Sequence, residues 1–87
     1  MFVILAYDVN KKRVSGVLKI CRKYLRHIQN SVFEGHLTPA QLQKLKAELA
    51  KAIIPAADGI VIYRMESTRF TQKETLGCCV LHDTVIG

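Results

Sequence analysis

The sequence lacks a disulfide framework, since its three cysteines do not suit one. The count is odd, and Cys78 and Cys79 are adjacent, so these two cannot easily bridge each other. A reducing compartment is the simplest context, and we expect a cytoplasmic protein. Long apolar runs are also absent, since the longest, from Phe2 to Tyr7, is far too short to cross a bilayer. We therefore expect no membrane partner.

Several familiar catalytic and binding patterns are missing as well. The sequence has no Ser-His-Asp set, no phosphate-cradling glycine loop and no nucleotide-binding fingerprint. Cys78, Cys79 and His82 resemble half of a zinc site, but a structural zinc ion needs four ligands, usually in two spaced pairs. The second pair is not present, so buried or unused thiols are the favoured interpretation.

Acidic residues are absent between Val9 and Phe33, which makes the charge of the chain uneven. Residues 1–36 carry a net charge of +5, out of +6 for the whole chain. Clustered positive charge indicates a polyanionic partner, most often a nucleic acid. A face that only keeps the protein soluble is the alternative, and composition alone does not decide between the two.

Hydrophobic periodicity predicts the element order β-α-β-α-β-β, with one more short strand at Val80–Leu81 or at residues 84–86. The predicted strands cover residues 2–7, 27–35, 58–65 and 70–76, and the helices cover residues 13–25 and the stretch between Thr38 and Pro55. The second helix has a capping box, in which Thr38 is the N-cap and Gln41 lies three residues later. The strand at 27–35, HIQNSVFEG, is unusual because its centre is polar, which predicts a bend or bulge.

This order predicts one α+β domain over residues 1–87, a ferredoxin-like α/β sandwich with two helices on one face of a single sheet. The first strand is apolar throughout and reads as buried on both faces. Two helices cover only one face, so something outside the chain must cover the other. A homodimer that packs sheet against sheet is the simplest solution.

Asp8 is the first polar residue after the first strand, where catalytic and ligand-binding groups concentrate in α/β sheets. A turn or helix-capping role is the alternative for a single aspartate at this position. In a dimer whose two-fold axis passes near the strand ends, two Asp8 carboxylates would meet and would need a proton or a cation between them. Oxygen ligands of this kind suit Mg²⁺ or Mn²⁺, which can deliver a water to a phosphodiester.

Basic residues follow Asp8 directly and continue along one side of the first helix, where phosphate groups would bind. Lys19, Arg22, Lys23 and Arg26 are spaced to share its polar face. His27 is a surface imidazole or, alternatively, a phosphate contact. The residues predicted to bind nucleic acid are Lys11, Lys12, Arg13, Lys19, Arg22, Lys23, Arg26 and His27.

Three segments resemble the CRISPR-associated protein 2 family. They are Tyr7-Asp8 at the end of the first strand, the motif QxSVFEG at residues 29–35, and DxIxIY at residues 58–63. The resemblance covers residues 2–65 in order and spacing, and QxSVFEG is its most specific part. It implies a ferredoxin-like homodimer that takes part in acquiring new CRISPR spacers.

The resemblance also implies an activity, partners and site residues. Members of that family are described as metal-dependent endonucleases on RNA or DNA, and as the central dimer that bridges copies of the CRISPR integrase. By the resemblance, Asp8 is the Mg²⁺ ligand, and Tyr7, Arg13 and Phe33 are further site residues. The family has arginine in some members where this chain has His27, and residues beyond 65 match only loosely.

Three functions therefore stand as alternatives. The first is a phosphodiesterase in which paired Asp8 residues hold one divalent ion. The second is a non-catalytic scaffold that holds nucleic acid while the integrase does the chemistry. The third is a toxin-like messenger-RNA ribonuclease on the same fold, as in virulence-associated protein D toxins. In the homodimer, the polar residues 29–31 are expected at a bend of the second strand near the two-fold axis.

Overall fold

The computed structural model describes residues 1–66 and 69–77, whose backbone forms one sheet and two helices. The elements are β1 (Phe2–Asp8), α1 (Lys11–Tyr24), β2 (Arg26–Gln29), β3 (Val32–His36), α2 (Pro39–Ala52), β4 (Gly59–Glu66) and β5 (Arg69–Gly77). The strand order is β2-β3-β1-β4-β5, and every neighbouring pair is antiparallel. This confirms the predicted ferredoxin-like α+β fold. Within these ranges, no helix is long and apolar enough to span a membrane.

β1 lies at the centre of the sheet, and its side chains alternate between the two faces. Val3 and Leu5 are fully buried beneath the helices, and Tyr7 is nearly so. β4 adds Ile60 and Ile62 to the same core. Both helices contribute buried residues to this one cluster, so they cover the same face of the sheet, as predicted.

The other face of β1 and β4 is also apolar, and we call it the open sheet face. It consists of Phe2, Ile4 and Ala6 on β1 and of Val61, Tyr63 and Met65 on β4. The register places Ile4 opposite Tyr63 and Ala6 opposite Val61. Ala6 and Val61 are buried, but the other four residues of this face are only partly buried, so some apolar surface remains accessible on the side away from the helices.

α2 begins as the sequence predicts. The Gln41 backbone N–H donates to the Thr38 hydroxyl at 3.2 Å, and the Thr38 N–H donates to the Gln41 side-chain oxygen at 2.9 Å. Pro39 occupies the first turn, where its missing N–H costs nothing. The apolar stripe of this helix is buried, at Leu42, Leu45, Leu49 and Ile53.

α1 is displaced toward the N-terminus relative to the prediction. It begins at residue 11 rather than 13 because Asn10 is its N-cap, accepting a hydrogen bond from the Lys12 backbone N–H at 3.0 Å. It ends at Tyr24, since Leu25 is extended. Arg26 therefore begins β2 and does not extend the polar face of the helix, so the prediction that it shares that face is wrong.

The stretch HIQNSVFEG is a hairpin and not one bent strand. β2 and β3 pair up to Gln29 opposite Val32, and Asn30 and Ser31 form the turn between them. Asn30 has φ of 41°, in the left-handed region that asparagine tolerates better than most residues. The polar centre thus marks a chain reversal, and the predicted single strand was one strand too few.

The remaining predictions concern the strands after β4. The edge strand predicted at residues 70–76 is confirmed as β5, which pairs with β4. The register shifts once along this pair, between Arg64 and Met65. The predicted last strand at Val80–Leu81 or residues 84–86 lies outside the described residues.

Replacing Gly16 or Gly77 by alanine should change the free energy of unfolding in opposite directions. Gly16 lies in α1 with no atom within 4 Å of an added Cβ, so Gly16→Ala should raise the free energy of unfolding by about 1 kcal/mol. Gly77 has φ of +80°, and an added Cβ would lie 2.0 Å from the Asp58 carbonyl oxygen, so Gly77→Ala should destabilise the fold. Urea denaturation measures both changes, and a Gly77→Ala variant as stable as the parent would contradict the close approach of Gly77 to the Asp58 backbone.

Candidate metal and nucleic-acid site

Asp8 is the last residue of β1, and its side chain is exposed. On one side it is in register with Gly59, the first residue of β4. On the other side, the Tyr7 backbone N–H donates to the Ser31 carbonyl oxygen at 3.1 Å, which brings the β2–β3 turn beside the end of β1. Asp8 therefore lies where two loops and the start of α1 converge, the usual location of functional groups in such sheets.

Asp8 also differs from the other acidic side chains that the structure describes, because it alone among them has no hydrogen bond or ion pair. The others are held by Arg26 on Glu34, Lys23 on Glu48, Arg13 on Asp58, and Lys46 with Arg64 on Glu74. An exposed and unpaired carboxylate keeps its oxygen lone pairs available to a cation. This agrees with Asp8 as a ligand and not with a helix cap, since Asn10 caps α1.

The donor set around Asp8 fits a weakly held Mg²⁺ or Mn²⁺ ion but is incomplete in one chain. In the described part of the chain, no three histidine, cysteine, aspartate or glutamate side chains are close enough to hold a metal together. Mg²⁺ is commonly bound by one or two carboxylates, with waters and substrate phosphates completing its shell. One chain supplies one carboxylate, and a second from another chain would bring the set to two.

Arg13, predicted as a site residue, is committed to a buried partner. Its Nε donates to Asp58 Oδ2 at 2.5 Å and its Nη2 donates to Oδ1 at 2.9 Å. Asp58 is fully buried and accepts two further hydrogen bonds, from the backbone N–H groups of Asn10 at 3.0 Å and Ile54 at 2.8 Å. The geometry gives Arg13 a positioning role, since it fixes the loop that follows Asp8.

The charge of Arg13 and the hydrogen bonds of this cluster all lower the pKa of the Asp58 carboxyl. The Arg13 guanidinium holds the pKa of the Asp58 carboxyl well below its usual range, and the two backbone donors lower it further against the effect of burial. The sequence analysis gives Asp58 only as the start of a strand and of the motif at residues 58–63, with no partner. An acidic residue directly before an apolar strand was the available signal, because such a side chain must find a partner when it is buried.

Tyr7 and Phe33, the other predicted site residues, belong to the core. Phe33 is fully buried and Tyr7 is 6% exposed. Their rings stack with centroids 6.2 Å apart, and the His27 ring also stacks on Phe33, with centroids 4.5 Å apart. Burial raises the pKa of the Tyr7 hydroxyl. The Tyr7 and Phe33 rings support β1 and the hairpin beside Asp8 and are too buried to touch a substrate, whereas His27 is exposed.

The predicted basic residues fall into two groups. Lys11, Lys12, Lys19 and Arg22 are exposed on α1, and their side chains make no hydrogen bond or ion pair within residues 1–66 and 69–77. The others are engaged: Lys23 binds Glu48 on α2, Arg26 binds Glu34 at 2.6 Å, and His27 Nε2 lies 2.6 Å from the Asn30 carbonyl oxygen. The free cations form a solvent-facing row along α1.

Comparison with known proteins gives a consistent result. The family model described as CRISPR associated protein Cas2 matches residues 1–73. The chain is 49% identical to the CRISPR-associated endoribonuclease Cas2 of Thermotoga maritima, over 88% of each chain. It is 40% identical to the protein of the same name from Pyrococcus furiosus, again over 88% of each. The crystal structure of Streptococcus pyogenes Cas2 at pH 6.5 matches with a TM-score of 0.71 and 36% identity, covering 78% of this chain and 89% of that one.

The buried Asp58 predicts a characteristic dependence of stability on pH. Its folded-state pKa lies below the unfolded value of about 3.9, so its stabilising contribution is complete above that pH and is lost as the pH falls further. Asp58→Asn should lower Tm at pH 7 by about 10 °C, since it leaves Arg13 without its anion. The loss should shrink as the pH falls below about 4.

Thermal melts between neutral and acid pH test this, with Asp8→Asn as the matched control. That variant makes the same chemical change at an exposed, unpaired carboxylate and should leave Tm nearly unchanged. Glu48 and Glu74 also have lowered pKa values, caused mainly by hydrogen bonds from Lys23 and Lys46, so the parent protein will lose some stability in acid regardless. If Tm changed with pH by the same amount in Asp58→Asn and in the parent, the stabilising role of the ionised Asp58 carboxylate would be contradicted.

Proposed function

The chain belongs to the CRISPR-associated protein Cas2 family, and from this premise we propose that it is a Mg²⁺-dependent endonuclease. It hydrolyses phosphodiester bonds in RNA or DNA as a homodimer with Asp8 of each protomer at the site. The observation that carries the proposal is that Asp8 is the one described carboxylate without a partner, at the end of the central strand. The relatives named above as endoribonucleases support a nuclease over a protein that only binds, and family membership favours this assignment over a toxin-like ribonuclease.

The division of labour within the site follows from its geometry. Asp8 would hold the ion, and an ion bound there supplies Lewis-acid chemistry that activates water and offsets the charge of a phosphate. The exposed lysines at the start of α1, Lys11 and Lys12, lie within a few residues of Asp8 and hold the substrate phosphates. Asp58 and Arg13 keep the intervening loop in place, so the carboxylate needs little reorganisation when the substrate arrives.

The homodimer is part of the proposal because one chain supplies one carboxylate. The open sheet face supports it, since Ile4, Tyr63 and Met65 present apolar surface on the side that the helices leave uncovered. An apolar patch of this kind on a small domain is typical of an interface. Sheet-to-sheet packing through this face would bring two copies of the strand end that carries Asp8 into one assembly.

Replacing Asp8 tests the enzymatic proposal. Even residues that only orient metal ligands contribute about 10–100-fold, so Asp8→Asn should lower the Mg²⁺-dependent cleavage rate of labelled single-stranded RNA or duplex DNA by at least roughly 100-fold. Binding of Mn²⁺, followed by electron paramagnetic resonance, should weaken in parallel. Gln43→Lys is the control, because it makes the same change in net charge on the exposed face of α2.

Two outcomes would contradict the proposal. Equal cleavage by Asp8→Asn and the parent would place the activity elsewhere or in a contaminant. A particle of 9.8 kDa in sedimentation at micromolar concentration would leave each Asp8 without its counterpart. Loss of cleavage with intact folding, together with a particle of twice that mass, is the expected result.

A scaffold role is the second candidate, and the row of free cations on α1 favours it. In that role the dimer binds duplex DNA through its phosphates while the CRISPR integrase carries out the chemistry. Nuclease and scaffold roles are compatible, because the cations on α1 extend well beyond the residues next to Asp8. An integrase that co-purifies with the protein from its native host would support this role.

The salt dependence of DNA binding tests the row on α1. Each lysine or arginine that neutralises a phosphate adds about 0.9 to the slope of log affinity against log salt. The double variant Lys19→Gln/Arg22→Gln should therefore weaken duplex binding and lower the slope by about 2. Lys44→Gln/Lys51→Gln removes the same charge from α2 and is the matched control. Equal slopes for the two double variants would exclude α1 as the DNA-binding surface.

A further inference from the structure

Gly16 lies inside α1 at an exposed position. The interior of a helix is a costly place for glycine, because glycine loses more conformational freedom on folding than any other residue. α2 has the same length of 14 residues, and it carries alanine at exposed interior positions such as Ala47 and Ala50. The helix itself therefore gives no reason for glycine at residue 16.

The rest of the fold gives no reason either. Gly16 has ordinary helical backbone, unlike Gly77 with its φ of +80°. It is also uncrowded, since in the described part of the chain no atom of another element lies within 4 Å of an added Cβ. Gly35 differs, because its added Cβ would lie 3.1 Å from Leu25 Cδ2. The use of glycine that is left is the close approach of a ligand to the backbone.

The solvent-facing neighbours of Gly16 on the helix surface are two lysines. Lys12 lies four residues before it and Lys19 three residues after it, so both are adjacent to it on α1. Both are exposed, and their side chains form no ion pair within residues 1–66 and 69–77. The two lysines are two turns apart, ~10 Å along the axis. Gly16 is therefore a low point of the surface with a free ammonium group on each side.

This position stays accessible in the proposed homodimer. The residues of α1 that face the sheet are the buried ones, Val17 and Cys21, and Gly16 lies on the outward side. α1 covers the face of the sheet opposite the open sheet face. Packing of two open sheet faces against each other would therefore leave both copies of α1 on the outside of the assembly.

We propose that a phosphate group of the nucleic-acid backbone lies against α1 at Gly16, between Lys12 and Lys19. A side chain at residue 16 would hold the phosphate farther from both ammonium groups, and the attraction between opposite charges falls with distance. Such a contact positions the nucleic acid without reading its sequence. The inference rests on the proposed function in taking nucleic acid as the substrate class, and it specifies where on α1 the backbone comes closest.

A protein partner fits this part of α1 less well. Glycine on a helix surface also allows another helix to pack closely, but lysine is depleted at protein–protein interfaces. Burying Lys12 and Lys19 against a protein would remove their ammonium groups from water, which is costly without a paired anion. The sequence has no acidic residue between Val9 and Phe33 that would lie on α1 to pair with them. A phosphate supplies that anion.

The test measures binding of labelled duplex DNA by fluorescence anisotropy, in EDTA so that no cleavage occurs. Gly16→Leu should weaken binding several-fold and lower the slope of log affinity against log salt by about 1, the effect of one lost phosphate contact. Gly16→Ala should weaken binding less, because its side chain is smaller, even though it raises Tm. Ala47→Leu adds a leucine at an exposed position of α2 and is the matched control, which should bind as the parent does.

Opposite changes in stability and affinity in Gly16→Ala are the expected signature, since a loss of folding would lower both. Gly16 variants that bind duplex DNA as tightly as the parent would overturn the proposal. A Gly16→Leu variant that changes only the mass of the particle in sedimentation would overturn it too, because the contact would then be with protein. If Lys19→Gln/Arg22→Gln lowers the salt slope and Gly16→Leu does not, α1 binds DNA without a contact at Gly16, and only this inference fails. Cleavage plays no part in these measurements, so a failure of the nuclease proposal is observed separately with Asp8→Asn.

Discussion

The buried carboxylate of Asp58 is the contact on which the functional end of the molecule depends. It accepts four hydrogen bonds from two parts of the chain that are far apart in sequence: the loop after β1 together with the first turn of α1, and the loop after α2. A charged group in the interior is tolerated only when its partners satisfy it fully, so these segments cannot move independently. Because Asn10 is one of the donors, the loop that follows Asp8 is fixed by the same contact.

This arrangement explains how a protein with a large excess of positive charge keeps one acidic group free. Its described acidic side chains are otherwise used to tie elements together: Glu48 links the helices, Glu74 links α2 with β4 and β5, and Asp58 links the loops. The cations that take part are the ones facing these acids, and those on the solvent side of α1 remain free. The cations that hold the elements together and the free cations of the proposed nucleic-acid surface are therefore different residues.

The sequence predicts best those elements whose signals are local. The apolar run of β1, the capping box at Thr38 and the leucine stripe of α2 each depend on neighbours a few residues away, and each is confirmed. The hairpin was missed because Asn30 and Ser31 were interpreted as the polar centre of a strand. A turn of only two residues is too short to appear in the sequence as a loop between two strands. The left-handed backbone of Asn30 cannot be read from the sequence either.

The positions of some candidate site residues were predicted from the sequence and those of others were not, because only some depend on local sequence. Asp8 follows from its position at the end of an apolar strand, which is a local property. The partner of Arg13 lies 45 residues away, so periodicity gives no indication that this arginine points inward. The same applies to Phe33 and Tyr7, whose burial depends on how the sheet and helices meet, and to Arg26, whose place depends on where α1 ends.

The free cations on α1 give the proposed nucleic-acid surface its length. α1 has fourteen residues and therefore covers ~20 Å, starting next to Asp8. One exposed carboxylate per chain is a weak attachment for an ion and its substrate. In the proposed function, most of the affinity must therefore come from phosphates held along α1. Binding of this kind depends strongly on salt and little on sequence, because phosphates are the same at every position of a nucleic acid.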